Sequence, residues 1–243
     1  MTRNYKEEAN KIQDNFPGFY LQLNIDLPDT CMQEAEAVYD AGYFAYHKPS
    51  LPGHGEGAGW YASCLHGLGW DKIVSSHRYG YPGNFADKDV PMHWTEVCEL
   101  APDTTRFFKE EFPLQNCKQK YKRLRFMLLK PDGVIPKHFD SLIENNGTIF
   151  NSINFAVNQP DNCYVRKENT KTEIPYIPGK CFLFDSTVAH TGQNNSDQNR
   201  FHILVQSDAE WRDDFWKIFV ESFEQNYDGN QKYVRGTNEE AVA

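Results

Sequence analysis

The 243-residue chain has no apolar run long enough to cross a membrane as a helix, and its first residues, Met-Thr-Arg-Asn-Tyr-Lys-Glu-Glu, hold no apolar signal region. It lacks a basic surplus. Lys and Arg number 25 against 34 Asp and Glu, a formal charge of −9. That argues against a nucleic acid or an anionic membrane as partner, since both need a basic surface. The six cysteines (Cys31, Cys64, Cys98, Cys117, Cys163 and Cys181) include no C-x-x-C pair, and their spacing fits neither a zinc site nor a dense disulfide framework. Free thiols in a reducing, cytoplasmic setting are the expectation. There is no internal repeat and no low-complexity tract.

What is present is material for a packed core: 40% hydrophobic and 14% aromatic residues. The length suits a single domain over 1–243. Within it, 1–120 reads as supporting helices and loops, 121–207 as a β-rich core, 208–228 as a C-terminal helix and 229–243 as a polar tail. In the first part, Asp29-Thr30 suits the cap of a short helix to Ala41, with Met32, Ala35 and Val38 on one side. Residues 49–93, rich in Gly, Pro, His, Trp and Tyr, read as long structured loops over a barrel mouth. Residues 104–112 suit a helix stopped by Pro113.

The core zone has short apolar or alternating runs at 124–129, 148–157, 163–166, 174–177, 180–184 and 201–206. Turn residues such as Pro131-Asp132-Gly133 and Pro178-Gly179 separate them. This punctuation predicts an antiparallel sandwich or barrel. Trp211, Phe215, Ile218, Phe219 and Phe223 then recur at helical spacing, a face to dock on the barrel.

The chemistry is expected in that zone. In an extended segment, residues i and i+2 face the same way. In Pro136-Lys-His138-Phe-Asp140, His138 and Asp140 therefore converge while Phe139 turns away into packing. His190, after the 180–184 run, is the natural third ligand. Two imidazoles and one carboxylate on one face of an ion leave other positions open, the arrangement of non-haem Fe(II) oxygenases. His-x-acid alone is weak: eight His and 34 acidic residues make about one such pair a chance event, and His54-Gly55-Glu56 is a decoy without a strand to aim it. The rest of the pattern lifts the reading. Ten residues beyond His190, Arg200 opens an apolar strand and can aim its planar fork at a carboxylate beside the metal, such as the 5-carboxylate of 2-oxoglutarate. A surface ion pair with Asp197 or Asp208 is the plainer alternative for Arg200.

Two stretches carry a resemblance to a known family. One is Pro178-Gly179-Lys-Cys-Phe-Leu-Phe184-Asp185-Ser186-Thr-Val-Ala-His190-Thr-Gly-Gln-Asn194, running on to Arg200-Phe-His-Ile-Leu. The other runs from Arg125 through Pro131-Asp-Gly to His138. Together they resemble the aspartyl/asparaginyl β-hydroxylases over roughly 58–211; the Trp60–Gly67 segment is similar more loosely. The resemblance implies a double-stranded β-helix, a distorted cupin-like jelly roll, with Fe(II), 2-oxoglutarate and O₂. It implies hydroxylation of an amino-acid, peptide or protein side chain with release of succinate and CO₂. In the family's animal peptidyl hydroxylases an Arg and a His on the next strand help hold the co-substrate; here Ser152 and Asn154 stand in their places, so the resemblance does not carry over specificity for aspartyl residues. Asn154 and Ser152 stay as candidate co-substrate contacts, and Trp60, Arg125 and His202 as candidate substrate contacts. No catalytic residue is expected beyond the metal centre. Two other function classes compete. One is a non-catalytic jelly-roll binding protein, which gains nothing from ligands with open positions. The other is a halogenase or desaturase on the same scaffold; a halogenase needs the carboxylate ligand missing, and Asp140 is present.

Overall fold

A computed structural model describes residues 3–16, 18–47, 58–74, 79–80, 90–115, 121–140, 153–207 and 209–227. Alternation decides the architecture. Strand β5 (Arg123–Leu129) turns into β6 (Val134–His138), followed by β7 (Ile153–Ala156), β8 (Cys163–Lys167), β9 (Lys180–Phe184), β10 (His190–Asn194) and β11 (Arg200–Gln206). The odd strands join one sheet in the order β9-β7-β11-β5, and the even strands form a second sheet in the order β6-β10-β8. All pairings are antiparallel. The chain therefore winds from one sheet to the other at each connection, which makes a double-stranded β-helix.

The major sheet extends at both edges. Strand β1 (Tyr20–Asp26) adds to β9; β3 (Trp60–Gly67) adds to β5, with β2 (Ala45–Tyr46) and β4 (His93–Trp94) on β3. Its outer face carries the main core: Leu124, Phe126 and Leu128 of β5, Ile153 and Phe155 of β7, and Phe201, Ile203 and Val205 of β11. Helices α1 (Tyr5–Asp14), α2 (Cys31–Asp40), α3 (Pro102–Arg106) and α4 (Asp213–Asn226) flank this core. Of the residues at helical spacing, Phe215 and Phe219 are buried on α4 beside Trp216 and Val220, and Ile218 and Phe223 pack against the core partly buried. The inner face looks across a cleft to the minor sheet.

Several expectations need correction. Residues 174–177 form no strand; Glu173 makes one bridge to Arg166, and Pro175 and Pro178 have no N–H to continue a ladder. Within 49–93, β3 is a buried sheet strand rather than a loop, because both its faces are covered and its pattern does not alternate. Thr30 precedes α2 but makes no capping bond; its hydroxyl donates to Asp103 at 3.1 Å. The helix expected at 104–112 starts at Pro102 and widens to a π-helical turn over Phe107–Glu111. Trp211 lies outside α4, bridged to Leu114. Of the 148–157 run, the ladder occupies 153–156; 148–152, the His54 decoy and the tail from 228 lie outside the described residues.

Gly133 shows how the first turn is held. A Cβ there would stand 2.6 Å from the Lys130 carbonyl oxygen, so only glycine fits between β5 and β6. That turn sets where β6 begins and hence where His138 ends it.

Candidate metal and anion site

Two histidines face each other on the minor sheet. The β6–β10 ladder pairs His138 with His190, and their ring centroids are 4.3 Å apart. Each ring donates from Nδ1 to the carbonyl two residues earlier: His138 to Pro136 at 2.8 Å, His190 to Val188 at 2.9 Å. A carbonyl can only accept, so these bonds fix the proton on Nδ1. The Nε2 lone pair of each neutral ring is then the atom that can bind a metal.

Asp140 Oδ1 lies 3.9 Å from His138 Nε2. Two ligand atoms about 2.1 Å from a shared ion stand about 3 Å apart at a right angle and about 4.2 Å at most. The observed 3.9 Å lies within that range. Among the described residues no three His, Cys, Asp or Glu already stand at ligand spacing. In donor type, two neutral imidazoles and one carboxylate fit ferrous iron. The Asp140 N–H donates to the Ser186 carbonyl at 2.8 Å, and Asp185 Oδ1 accepts from Thr187 N at 3.1 Å and Thr187 Oγ1 at 2.5 Å. The turn at 185–187 thus anchors Asp140 and the approach to His190 together. Phe139 does point away, but not into packing: at the end of β6 it is 69% exposed.

Between the sheets lies a cleft that opens to solvent, with about 840 Å³ of empty space when its open mouth is included. His138, Asp140, His190, Arg200, Asn154, Trp60, Arg125 and His202 all line it, so the structure brings the candidates together. Ser152 lies outside the described residues.

Arg200 is 3% exposed. Its Nε donates to Gln159 Oε1 at 3.0 Å, a terminal nitrogen lies 3.5 Å from His202 Nδ1, and the guanidinium sits over the Tyr176 ring at 5.3 Å. Burial pushes the Arg200 pKa down, though it stays a cation, and burial together with Arg200 holds His202 well below the usual histidine range. His202 is therefore neutral. With Nδ1 facing a donor, its proton sits on Nε2, which is buried without a hydrogen-bond partner. Asn154 Nδ2 is a second buried donor without a partner. A cation and two orphaned donors around one cleft suit an anion with carboxylate oxygens.

Asn194 sets the entry of β11. Its Nδ2 donates to the carbonyls of Leu129 at 2.9 Å and Gln198 at 2.7 Å, tying the β10–β11 turn to the end of β5. His47 also lines the cleft, its ring centroid 3.9 Å from that of Trp60, which in turn is 5.9 Å from that of His138. Sequence reasoning missed Gln159, Tyr176 and His47. None sits in a motif, and each reaches the site from an irregular segment outside the strands.

Among solved structures, the chain is similar to a prolyl hydroxylase from Trichoplax adhaerens in complex with a hypoxia inducible factor peptide fragment. Identity is 12%, coverage 88% of this chain and 90% of that one, and TM-score 0.44. A Pseudomonas putida prolyl-4-hydroxylase gives 12% identity, 84% and 98% coverage, and TM-score 0.45. Comparison with curated protein sequences finds no match. A family profile described as aspartyl/asparaginyl beta-hydroxylase matches residues 29–210. That stretch contains both sheets of the β-helix and every candidate site residue, and the chain belongs to this family of 2-oxoglutarate-dependent oxygenases.

Proposed function

We propose that the protein is an Fe(II)- and 2-oxoglutarate-dependent dioxygenase that hydroxylates a side-chain carbon of an amino acid, peptide or protein. The observation that carries this reading is the matched pair of Nδ1–H bonds on His138 and His190, which makes Nε2 the metal-binding atom of each ring, with the rings 4.3 Å apart and Asp140 3.9 Å from His138 Nε2. These three residues would hold the iron. With 2-oxoglutarate and O₂, bound iron supplies the chemistry R–H + O₂ + 2-oxoglutarate → R–OH + succinate + CO₂.

The chain's own groups bind, orient and shield. Arg200 takes the 5-carboxylate, its fork held by Gln159 and Tyr176. Asn154 Nδ2 and His202 Nε2 offer donors to the rest of the co-substrate. The buried rings of Trp60 and Phe184 shield the metal side of the cleft and Tyr176 the Arg200 side, where a lower dielectric strengthens each ionic contact.

The test is anaerobic addition of Fe(II) and 2-oxoglutarate to metal-free protein. A visible charge-transfer band is expected, absent in His138→Ala and His190→Ala. In Arg200→Lys it should need about tenfold more 2-oxoglutarate or beyond, because the bidentate fork is lost. A folded, iron-loaded wild type without the band would overturn the reading.

A further inference from the structure

His202 stands two residues beyond Arg200 on β11, on the same face, and is 5% exposed. Its cross-strand neighbours on that face are Ala156 of β7 and Met127 of β5, and the Tyr176 ring meets it edge-on at 4.5 Å. A methyl group, a thioether and an aromatic ring thus enclose an imidazole. A histidine kept for packing alone would cost less as a leucine, because a buried polar atom without a partner opposes folding. One ring nitrogen has a use: Nδ1 lies 3.5 Å from a terminal nitrogen of Arg200, which can only donate. The other, Nε2–H, is buried with no hydrogen-bond partner.

The contact with Arg200 changes what that N–H can do. A cation on Nδ1 polarises the ring and makes Nε2–H a stronger donor. Burial and the same guanidinium keep the ring neutral, so the donor carries no charge of its own. Nε2 lies across the ring from Nδ1, away from the fork. A ligand that uses both the fork and this N–H therefore needs oxygens at two places. Arg200 and His202 rise from one strand face about 7 Å apart. The end carbons of a five-carbon diacid, joined by four C–C bonds of about 1.5 Å, stand about 6 Å apart at most. A diacid of this length reaches both positions, whereas a monoacid gripped at Arg200 leaves Nε2–H unpaired.

We propose that His202 is the specificity-determining residue of the anion site: Nδ1 takes an N–H of the Arg200 fork, and Nε2–H binds an oxygen at the far end of the same diacid. This rests on the oxygenase reading above, which makes that diacid 2-oxoglutarate. The 2-oxo acid end of 2-oxoglutarate carries three oxygens, so one can accept this N–H while others are left for the metal. Arg200 sets the charge that the ligand must carry, and His202 sets where its second group of oxygens must lie.

The experiment titrates the metal-free full chain with glutarate and with pentanoate, five-carbon acids that differ only in the second carboxylate. Binding is followed by thermal shift and by equilibrium titration. Glutarate should bind about tenfold or more tighter, the worth of one buried donor left paired rather than unpaired. His202→Gln, whose amide nitrogen reaches the Nε2 position, should keep that preference within about threefold. His202→Asn, whose amide reaches only the Nδ1 position, and His202→Leu should reduce it to about twofold or less. A ring that serves packing or Arg200 alone would not separate the two amides. Equal binding of the two acids by the wild type, equal weakening of both in His202→Leu, or a preference kept by His202→Asn or lost in His202→Gln would each overturn the proposal. The oxygenase reading fails separately, as no charge-transfer band with Fe(II) and 2-oxoglutarate in a wild type that still prefers glutarate.

Discussion

The two faces of strand β11 carry opposite tasks one residue apart. Phe201, Ile203 and Val205 sit in the outer core, while Arg200, His202, Leu204 and Gln206 line the cleft. The outer residues bury apolar surface at about 25 cal/mol per Å², the dominant favourable term in folding. The inner ones bury a guanidinium and orphaned polar atoms, which costs stability unless a ligand satisfies them. Period-two alternation lets one strand hold the site rigidly from behind while presenting unfavourable groups in front. Stability and binding are therefore expected to separate by face.

The largest effect should come from the outer face. Phe155 is fully buried, with ring centroids 6.0, 5.6 and 5.9 Å from Phe107, Phe108 and Phe112. Phe155→Ala is expected to cost about 3–5 kcal/mol, seen as a melting temperature lower by roughly 10 °C. Below the transition, 2-oxoglutarate affinity should stay within about twofold of wild type, since no cleft contact changes. Arg200→Met is the mirror test. It removes a buried cation, so stability should stay within about 1 kcal/mol of wild type, while 2-oxoglutarate affinity falls about a hundredfold. A large loss of stability in Arg200→Met with binding retained would break the division between the faces.

Asn194→Ala sharpens it, because Asn194 serves both. The variant leaves the Leu129 and Gln198 carbonyls without their donor and should cost about 1–3 kcal/mol. It should also weaken 2-oxoglutarate by a few fold, since the turn before Arg200 loosens. Parallel denaturant melts and titrations separate the two terms.

The same alternation explains what was legible in the sequence. Strands β5, β9 and β11 show a clear pattern between Pro, Gly and Asn turns, and the site residues follow on from them: His138 ends β6 with Asp140 two residues on, His190 opens β10 and Arg200 opens β11. The cleft places all four together. Strand β3 was not legible because Trp-Tyr-Ala-Ser-Cys-Leu-His-Gly is covered on both faces and has no period to read. Gln159 and Tyr176 were not legible because their closeness to Arg200 comes from topology: one leaves the β7–β8 turn, the other follows a proline-broken segment. Arg123 and Gln206 mark the ends of two runs, and only the antiparallel register makes them partners.

The smallest expected effect tests burial away from the cleft. His66 is enclosed by Trp94 and Tyr121, with ring centroids 5.1 and 5.9 Å away. Burial, helped by His93 and Lys109, pulls its pKa down to about 4. The folded value lies below the unfolded value of about 6.5, so the unfolded state takes up the proton first. Stability is then intact above about pH 6.5 and lost as pH falls toward 4, by about 1 kcal/mol at pH 5.5. Neutral His202 adds loss of the same sign. His66→Gln should flatten the slope of stability against pH in this window without moving 2-oxoglutarate affinity, because His66 does not line the cleft. An unchanged slope in that variant would mean that the acid sensitivity belongs to the cleft side of the molecule, with His202 its first candidate.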